Sequence, residues 1–295
     1  RRGVYANLGS VIVGGFLDRG GEAEDGPPQS GVQVDKAVPL RSRQEMSLKP
    51  VFAAFAKKQF LKQGMKIEEK AMVKQLNRAK DKVTAHIEVG GKVEKREFDA
   101  VISAVGIVGN VEGLGLEALG VKIDRTHVVT DEFCRTGIPG LYAIGDIAGE
   151  PMLAHKAYAE ANVAAEVIAG RKAVFDPRAI PAVVFTDPEI AWCGLTETEA
   201  RALKIKIKTA KMPWRGNGRT LTLGRDDGMT KLIVDPETDR LLGMAVVGPG
   251  AGELIAEGVV AMEMAAVSED LRKSIHPHPT LSETIFDAAE MLFKV

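Results

Sequence analysis

A chain of 295 residues, 45% of them hydrophobic, can bury one large core or build two to three modest domains. Its 39 basic and 40 acidic residues leave a formal charge of −1, so no field of either sign argues for nucleic acid or an anionic membrane as a partner. No apolar run approaches bilayer length, and the opening RRGVYANLGS is broken too soon by glycine to read as a secretory signal. The expected setting is cytoplasmic.

In chain order, Val4, Tyr5 and Leu8 suggest a short helical piece ending at Gly9, followed by a strand through Val11, Ile12 and Val13. Gly20 to Pro50 carries four prolines and little periodicity and reads as loop or disorder. Val51, Phe52, Phe55, Phe60 and Leu61 suit an amphipathic helix that stops at Gly64. Short strands are expected at Met65–Ile67, Val83–Val89 and Lys92–Phe98, the last two joined as a hairpin by Gly90 and Gly91.

AVISAVG (100–106) and LYAIGD (141–146) are apolar runs ending in glycine or Gly-Asp, as strands buried on both faces would be. A helix is expected from Pro151 to Ala169, with proline at its start and Gly170 past its end. Strand, polar turn and helix are the grammar of a nucleotide-binding α/β domain. Beyond Pro181 the pattern changes. AVVF, KLIVD and LLGMAVVG read as strands, the last two as a hairpin through Pro236-Glu237-Thr238-Asp239. Helices are expected near Thr196–Leu203 and over Gly252–Ala266, where Ile255, Val259, Met262 and Ala266 share a face. The fold class is therefore a Rossmann-like α/β nucleotide-binding region, incomplete by the resemblance given below, followed by an α+β domain with an antiparallel sheet.

Only Cys134 and Cys193 are present, too far apart for a CxxC motif or a zinc site, and two buried or semi-buried free thiols are expected. The string HPHPTLSE (276–283) places two histidines and a carboxylate among prolines that fix the backbone. A helix starting near Thr280 would carry Glu283 round toward His278, the carboxylate-behind-imidazole arrangement of general acid–base catalysis. Two solvated loop histidines, or a metal pair lacking a third ligand, are the other readings of those residues.

HPHPTLSE and GLYAIGDIAGEPMLAHKA (140–157) together resemble the dihydrolipoamide dehydrogenase branch of the pyridine nucleotide-disulfide oxidoreductases. The resemblance implies that His278 is the base and Glu283 its orienting partner, and that FAD and NAD are the cofactors. It further implies that Asp146 holds the ribityl chain of FAD. Met152, Leu153, Ala154 and His155 then open a helix whose positive end faces the flavin. SAVGIVGN (103–110) is a weaker match that makes Gly106, with Val73, an NAD contact; Ile107 stands where many members have arginine. PAVVFTDPEIAWCGLTETEA (181–200) matches the start of the family's interface domain.

By the same resemblance, residues 1–99 belong to a partial NAD-binding domain, 100–175 to a partial FAD-binding domain and 176–295 to the dimerisation domain. A homodimer is implied, with lipoyl domains of 2-oxo acid dehydrogenase complexes as partners. The FAD-binding glycine loop, the CxxxxC redox pair and the NAD-binding GxGxxG are not in this sequence, and Gly15 stands where a ribose-binding acid is expected. Residues 20–50 fit the family pattern poorly; an insertion, or a stretch read in a shifted frame, would each account for it.

Overall fold

In the computed structural model the described residues are 3–7, 10–14, 51–104 and 106–293. The loop expected over Gly20–Pro50 falls outside them. The chain divides into two units: Arg1–Gly106 with Val184–Glu189, and Ile107–Val183 with Ile190–Val295.

In the first unit, strands β1 (Gly3–Asn7) and β2 (Ser10–Gly14) pair antiparallel, from Gly3 opposite Gly14 to Asn7 opposite Ser10. The helical piece expected from Val4 and Tyr5 is thus a strand, Leu8 lying outside the described residues. An isolated helix of five or so residues cannot repay its nucleation, whereas Val and Tyr suit a ladder. Helix α1 (Val51–Lys62) buries Phe52, Ala56 and Phe60, one residue per turn, and the chain leaves it through Gly64 at φ 85°. Leu61 faces solvent instead of the core.

Strands β3 (Met72–Arg78), β4 (Val83–Val89) and β5 (Lys92–Phe98) form an antiparallel meander. The β4–β5 connection is the expected two-residue turn, with Gly90 at φ 58° and Gly91 at φ 81°, values that cost a Cβ-bearing residue strain. Ala71, Ala85, Ile87 and Phe98 form the small core of this sheet, with Val73 packed against it. Met65–Ile67 is not a strand. The strand that exists, β3, is an edge strand exposed along most of its length, so it carries no apolar alternation to read.

The described residues of the 100–106 and 141–146 stretches are not in strands either, apart from a single bridge between Arg135 and Tyr142. A strand buried on both faces is held by neighbours on both edges, and the ladders among the described residues are made by other segments. Ile102 is left half exposed as a result.

The second unit opens with the ribbon β6 (Ile123–Asp124) and β7 (His127–Val128), whose Val128 joins Val111 and Val121 in a core against which Leu141, Ala143 and Ile147 pack. Helix α2 (Ala154–Ile168) follows. Then come β8 (Ala182–Val184), β9 (Ile190–Gly194), α3 (Glu197–Leu203), β10 (Lys208–Pro213), α4 (Gly218–Leu223), β11 (Met229–Val234) and β12 (Leu241–Val247). Helices α5 (Ala251–Glu263), α6 (Ser268–Lys273) and α7 (Glu283–Met291) complete it. The sheet order is β10-β11-β12-β9-β8. The β11–β12 hairpin is set by Asp235, whose carboxylate accepts from the amides of Glu237 (2.8 Å) and Thr238 (2.9 Å).

Alternation along β11 and β12 puts Leu232, Val234, Met244 and Val246 into one core with Ile255 and Met262 of α5 and Ile285 of α7. Trp214 is wholly buried, and its indole N–H donates to Thr230 Oγ1 at 2.9 Å. Gly228 and Gly248 are required there, because a Cβ at either would overlap the indole ring.

Candidate functional site

The segment between α6 and α7 places two histidines, each with its own glutamate. Glu283 is the first residue of α7, where the helix leaves N–H groups unpaired and favours negative charge. Its Oε2 accepts from the Thr280 amide at 2.7 Å, and its Oε1 lies 2.8 Å from Nδ1 of His278. A carboxylate can only accept, so Nδ1 carries the hydrogen and Nε2 is left with its lone pair. The His278 side chain is 74% exposed, against 20% for Glu283, and Nε2 has no protein partner among the described residues. The Thr280 amide holds the Glu283 carboxyl below the usual carboxylate range against the burial that would raise it; the His278 hydrogen bond, and the positive charge either histidine carries when protonated, lower it further. The pair is thus an outward-facing proton acceptor with a fixed tautomer.

The loop is fixed from several sides. Asn217, the N-cap of α4, donates its side-chain amide to Thr280 O at 3.0 Å while its Oδ1 accepts from the Arg219 and Thr220 amides. Thr280 Oγ1 donates to Pro277 O at 2.7 Å. The His278–Pro279 peptide is cis. Gly218 lies at the ring, with space for a Cβ at ordinary contact, 3.5 Å from His278 Cε1.

A second cluster surrounds the Gly-Asp turn. Residues Gly145–Ala148 form one 3-10 turn, and the Asp146 carboxylate is exposed and makes no hydrogen bond among the described residues. Just beyond, Met152 and Leu153 are half-buried, and α2 begins with Ala154 and His155 on the surface. The His155 Nε2 lies 2.6 Å from Pro181 O. Asp146 is free to accept a ligand hydroxyl, and the amino end of a 15-residue helix stands behind it. These features fit the ribityl and ring-facing portions of a flavin.

Two residues that hold this turn are not evident from motif reading. Lys156 and Glu160 of α2 are each 5% exposed and pair at 2.6 Å. Glu160 Oε2 accepts from the Gly145 amide at 2.6 Å, while the Lys156 ammonium donates to Gly149 O at 3.2 Å and, more weakly, to Gly145 O at 3.4 Å. The signal was their position. Lys156, Glu160 and Ala164 form the buried stripe of α2 at four-residue spacing, where a surface pair would not lie.

Gly106 is exposed at φ 112°, and Val73 contributes its side chain to the core under β3–β5. Both cysteines are free and buried. Burial pushes the Cys193 thiol up to about 12, and burial with the nearby acids raises Cys134. Neither is a redox pair nor an activated thiolate. No group of three metal-ligating side chains comes together among the described residues. No helix among them is long and apolar enough to cross a membrane.

Two family profiles match this chain in succession: pyridine nucleotide-disulphide oxidoreductase over residues 33–161, and the dimerisation domain of the same enzymes over 180–289. The chain belongs to the pyridine nucleotide-disulphide oxidoreductase family. The first match reaches back to residue 33, inside the proline-bearing stretch whose motifs fit the family pattern poorly. Curated dihydrolipoyl dehydrogenases are similar: that of Thermus scotoductus is 46% identical over 82% of this chain and 53% of its own length. That of Rhizobium etli is 45% identical over 80% and 50%. The chain spans about half the length of these relatives. Among solved structures, LpdA of Mycobacterium tuberculosis aligns with TM-score 0.76 and 28% identity over 82% of this chain and 52% of that one. A Cu(II) complex of a cysteine-to-serine mutant of the HOCl-induced flavoprotein disulfide reductase RclA of Escherichia coli also gives 0.76, at 24% identity, over 87% and 56%. The second likeness speaks for the fold alone.

Proposed function

We propose that this chain supplies the base and the flavin-facing wall of a dihydrolipoamide dehydrogenase, whose net reaction is dihydrolipoamide + NAD⁺ → lipoamide + NADH + H⁺. The observation that carries this reading is the His278–Glu283 pair, with Nδ1 held at 2.8 Å and Nε2 open. His278 Nε2 takes the proton from a substrate thiol, producing the thiolate that attacks a disulfide, and Glu283 stabilises the imidazolium that results. The disulfide itself is not among these residues.

FAD, when bound, would supply the two-electron carrier between that disulfide and NAD. Asp146 would hold its ribityl hydroxyls, and Met152, Leu153, Ala154 and His155 would face its ring, with Lys156 and Glu160 keeping the turn in place. Gly106 and Val73 would border NAD, Gly106 by close backbone approach. Three regions follow from this reading: residues 1–99 for NAD, 100–175 for FAD and 176–295 for dimerisation. The dimerisation-domain match supports a homodimer, with lipoyl domains of 2-oxo acid dehydrogenase complexes as partners in a cytoplasmic or matrix setting.

The test is an assay of dihydrolipoamide-dependent NAD reduction with this chain as the only protein and FAD in excess. No turnover is expected, because the only two thiols are buried and apart. Turnover above the protein-free rate would overturn the placement of the disulfide outside these residues. A second reading, a non-catalytic dimerisation module, is favoured by the larger core of the 180–289 region beside that of residues 71–98; it predicts no interaction with flavin at all.

A further inference from the structure

The other histidine of the HPHP string is held far more tightly than the proposed base. The His276 side chain is only 9% exposed. Its Nε2 lies 2.8 Å from Glu257 Oε1 on α5, and its Nδ1 lies 3.0 Å from Ser274 O at the end of α6. Its ring sits 6.2 Å from that of Phe286 on α7, centroid to centroid and tilted by 51°. One imidazole therefore touches three helices at the root of a loop whose far side is pinned by Asn217. His278 stands between the two pins, and Glu283 and Phe286 are neighbours on the same turn of α7. A loop anchored at one end only would let His278 swing away from Glu283.

We infer that His276 is a positioning residue: gripped by Glu257 and Ser274 and seated on Phe286, it holds the loop so that His278 meets Glu283. This rests on the reading of His278 as the base. Glu257 is the remote partner in this arrangement, and nothing in the string HPHPTLSE points to it.

The Thr280 amide donates to Glu283, so its hydrogen exchange reports whether the loop and the carboxylate are assembled, without any need for flavin or turnover. We would measure it by NMR in the full chain for His276→Ala, Glu257→Ala and Glu257→Gln, the last keeping an oxygen acceptor of the same reach. The expected result is about tenfold faster exchange at Thr280 in both alanine variants, with Leu232 and Val246 of the sheet unchanged. Glu257→Gln should stay within about twofold of the parent. Unchanged exchange at Thr280 in the alanine variants would overturn the inference. So would equal acceleration of Leu232 and Val246, which would make His276 an ordinary member of the core. Flavin binding and turnover are read in separate experiments, so the base assignment and the positioning role can fail independently.

Discussion

The three-stranded sheet of the first unit and the five-stranded sheet of the second are both built on antiparallel hairpins, yet to different standards. β3–β5 cover a core of Ala71, Ala85, Ile87 and Phe98, and Met72, Leu76 and Val93 are exposed. β11 and β12 are buried along nearly their whole length, sharing one core with α5, α7 and a fully enclosed Trp214. The difference teaches that a hairpin needs only its own turn to form, whereas a stable layer needs a second layer supplied by the same residues. In residues 190–293 both layers are present. In residues 100–104 and 141–146 an apolar run has the composition of a buried strand and joins no sheet among the described residues.

The comparison breaks most directly at Trp214. Trp214→Ala would empty the centre of the larger core and remove the bond to Thr230, at a cost of about 3–5 kcal/mol. Thermal melting should show a large fall, while exchange at Ile87 in the smaller sheet stays unchanged. If Ile87 loosened equally, the contrast between the two sheets would be wrong.

Glu160→Ala is the corresponding test of the Gly-Asp turn. It leaves Lys156 buried without its counter-charge and the Gly145 amide without an acceptor, at about 3–5 kcal/mol. A Lys156→Met, Glu160→Leu double variant should recover much of that in melting temperature and not recover the turn, read as flavin interaction.

Thr196 caps α3 in a reciprocal box with Glu199, so Thr196→Ala should cost about 1 kcal/mol, measured by denaturant titration.

Smaller still is the acid response of Glu283. Its carboxyl is lowered on folding, so the stabilisation is fully present above the ordinary range, near about pH 4.3, and is lost as pH falls through the lowered value. Protection of the Thr280 amide should fall in that acid window in the parent chain. Glu283→Gln should abolish the pH dependence. Alkylation sharpens the account of the thiols: with Cys193 at about 12 and Cys134 raised, neither should react with iodoacetamide at neutral pH until the chain unfolds.

How much of this was legible depended on whether the cause was local. The Gly90-Gly91 turn, the Asp235 turn, the buried face of α5 and the two free thiols all follow from residues close in sequence, and the structure has them. The pairing of His278 with Glu283 was legible because five residues and two prolines leave few ways to place them. β3 was not, since an edge strand is held by backbone bonds and needs no apolar alternation. The strands expected at 100–106 and 141–146 do not form among the described residues, because composition records burial and does not say which segments would flank the strand. Lys156 and Glu160 were visible as a charged pair on an apolar stripe, but only to a reading that asked where each helix face points. Glu257, far from the histidines in sequence, carried no signal at all.

The central claim is that the Gly-Asp turn and the start of α2 form a working wall for flavin. It is tested most directly by the visible difference spectrum of FAD titrated with the chain, alongside Asp146→Ala. The account predicts a saturable shift of the flavin band that Asp146→Ala removes while leaving the melting curve unchanged. Superimposable spectra for the parent chain and FAD alone would contradict it, leaving the dimerisation module as the better description.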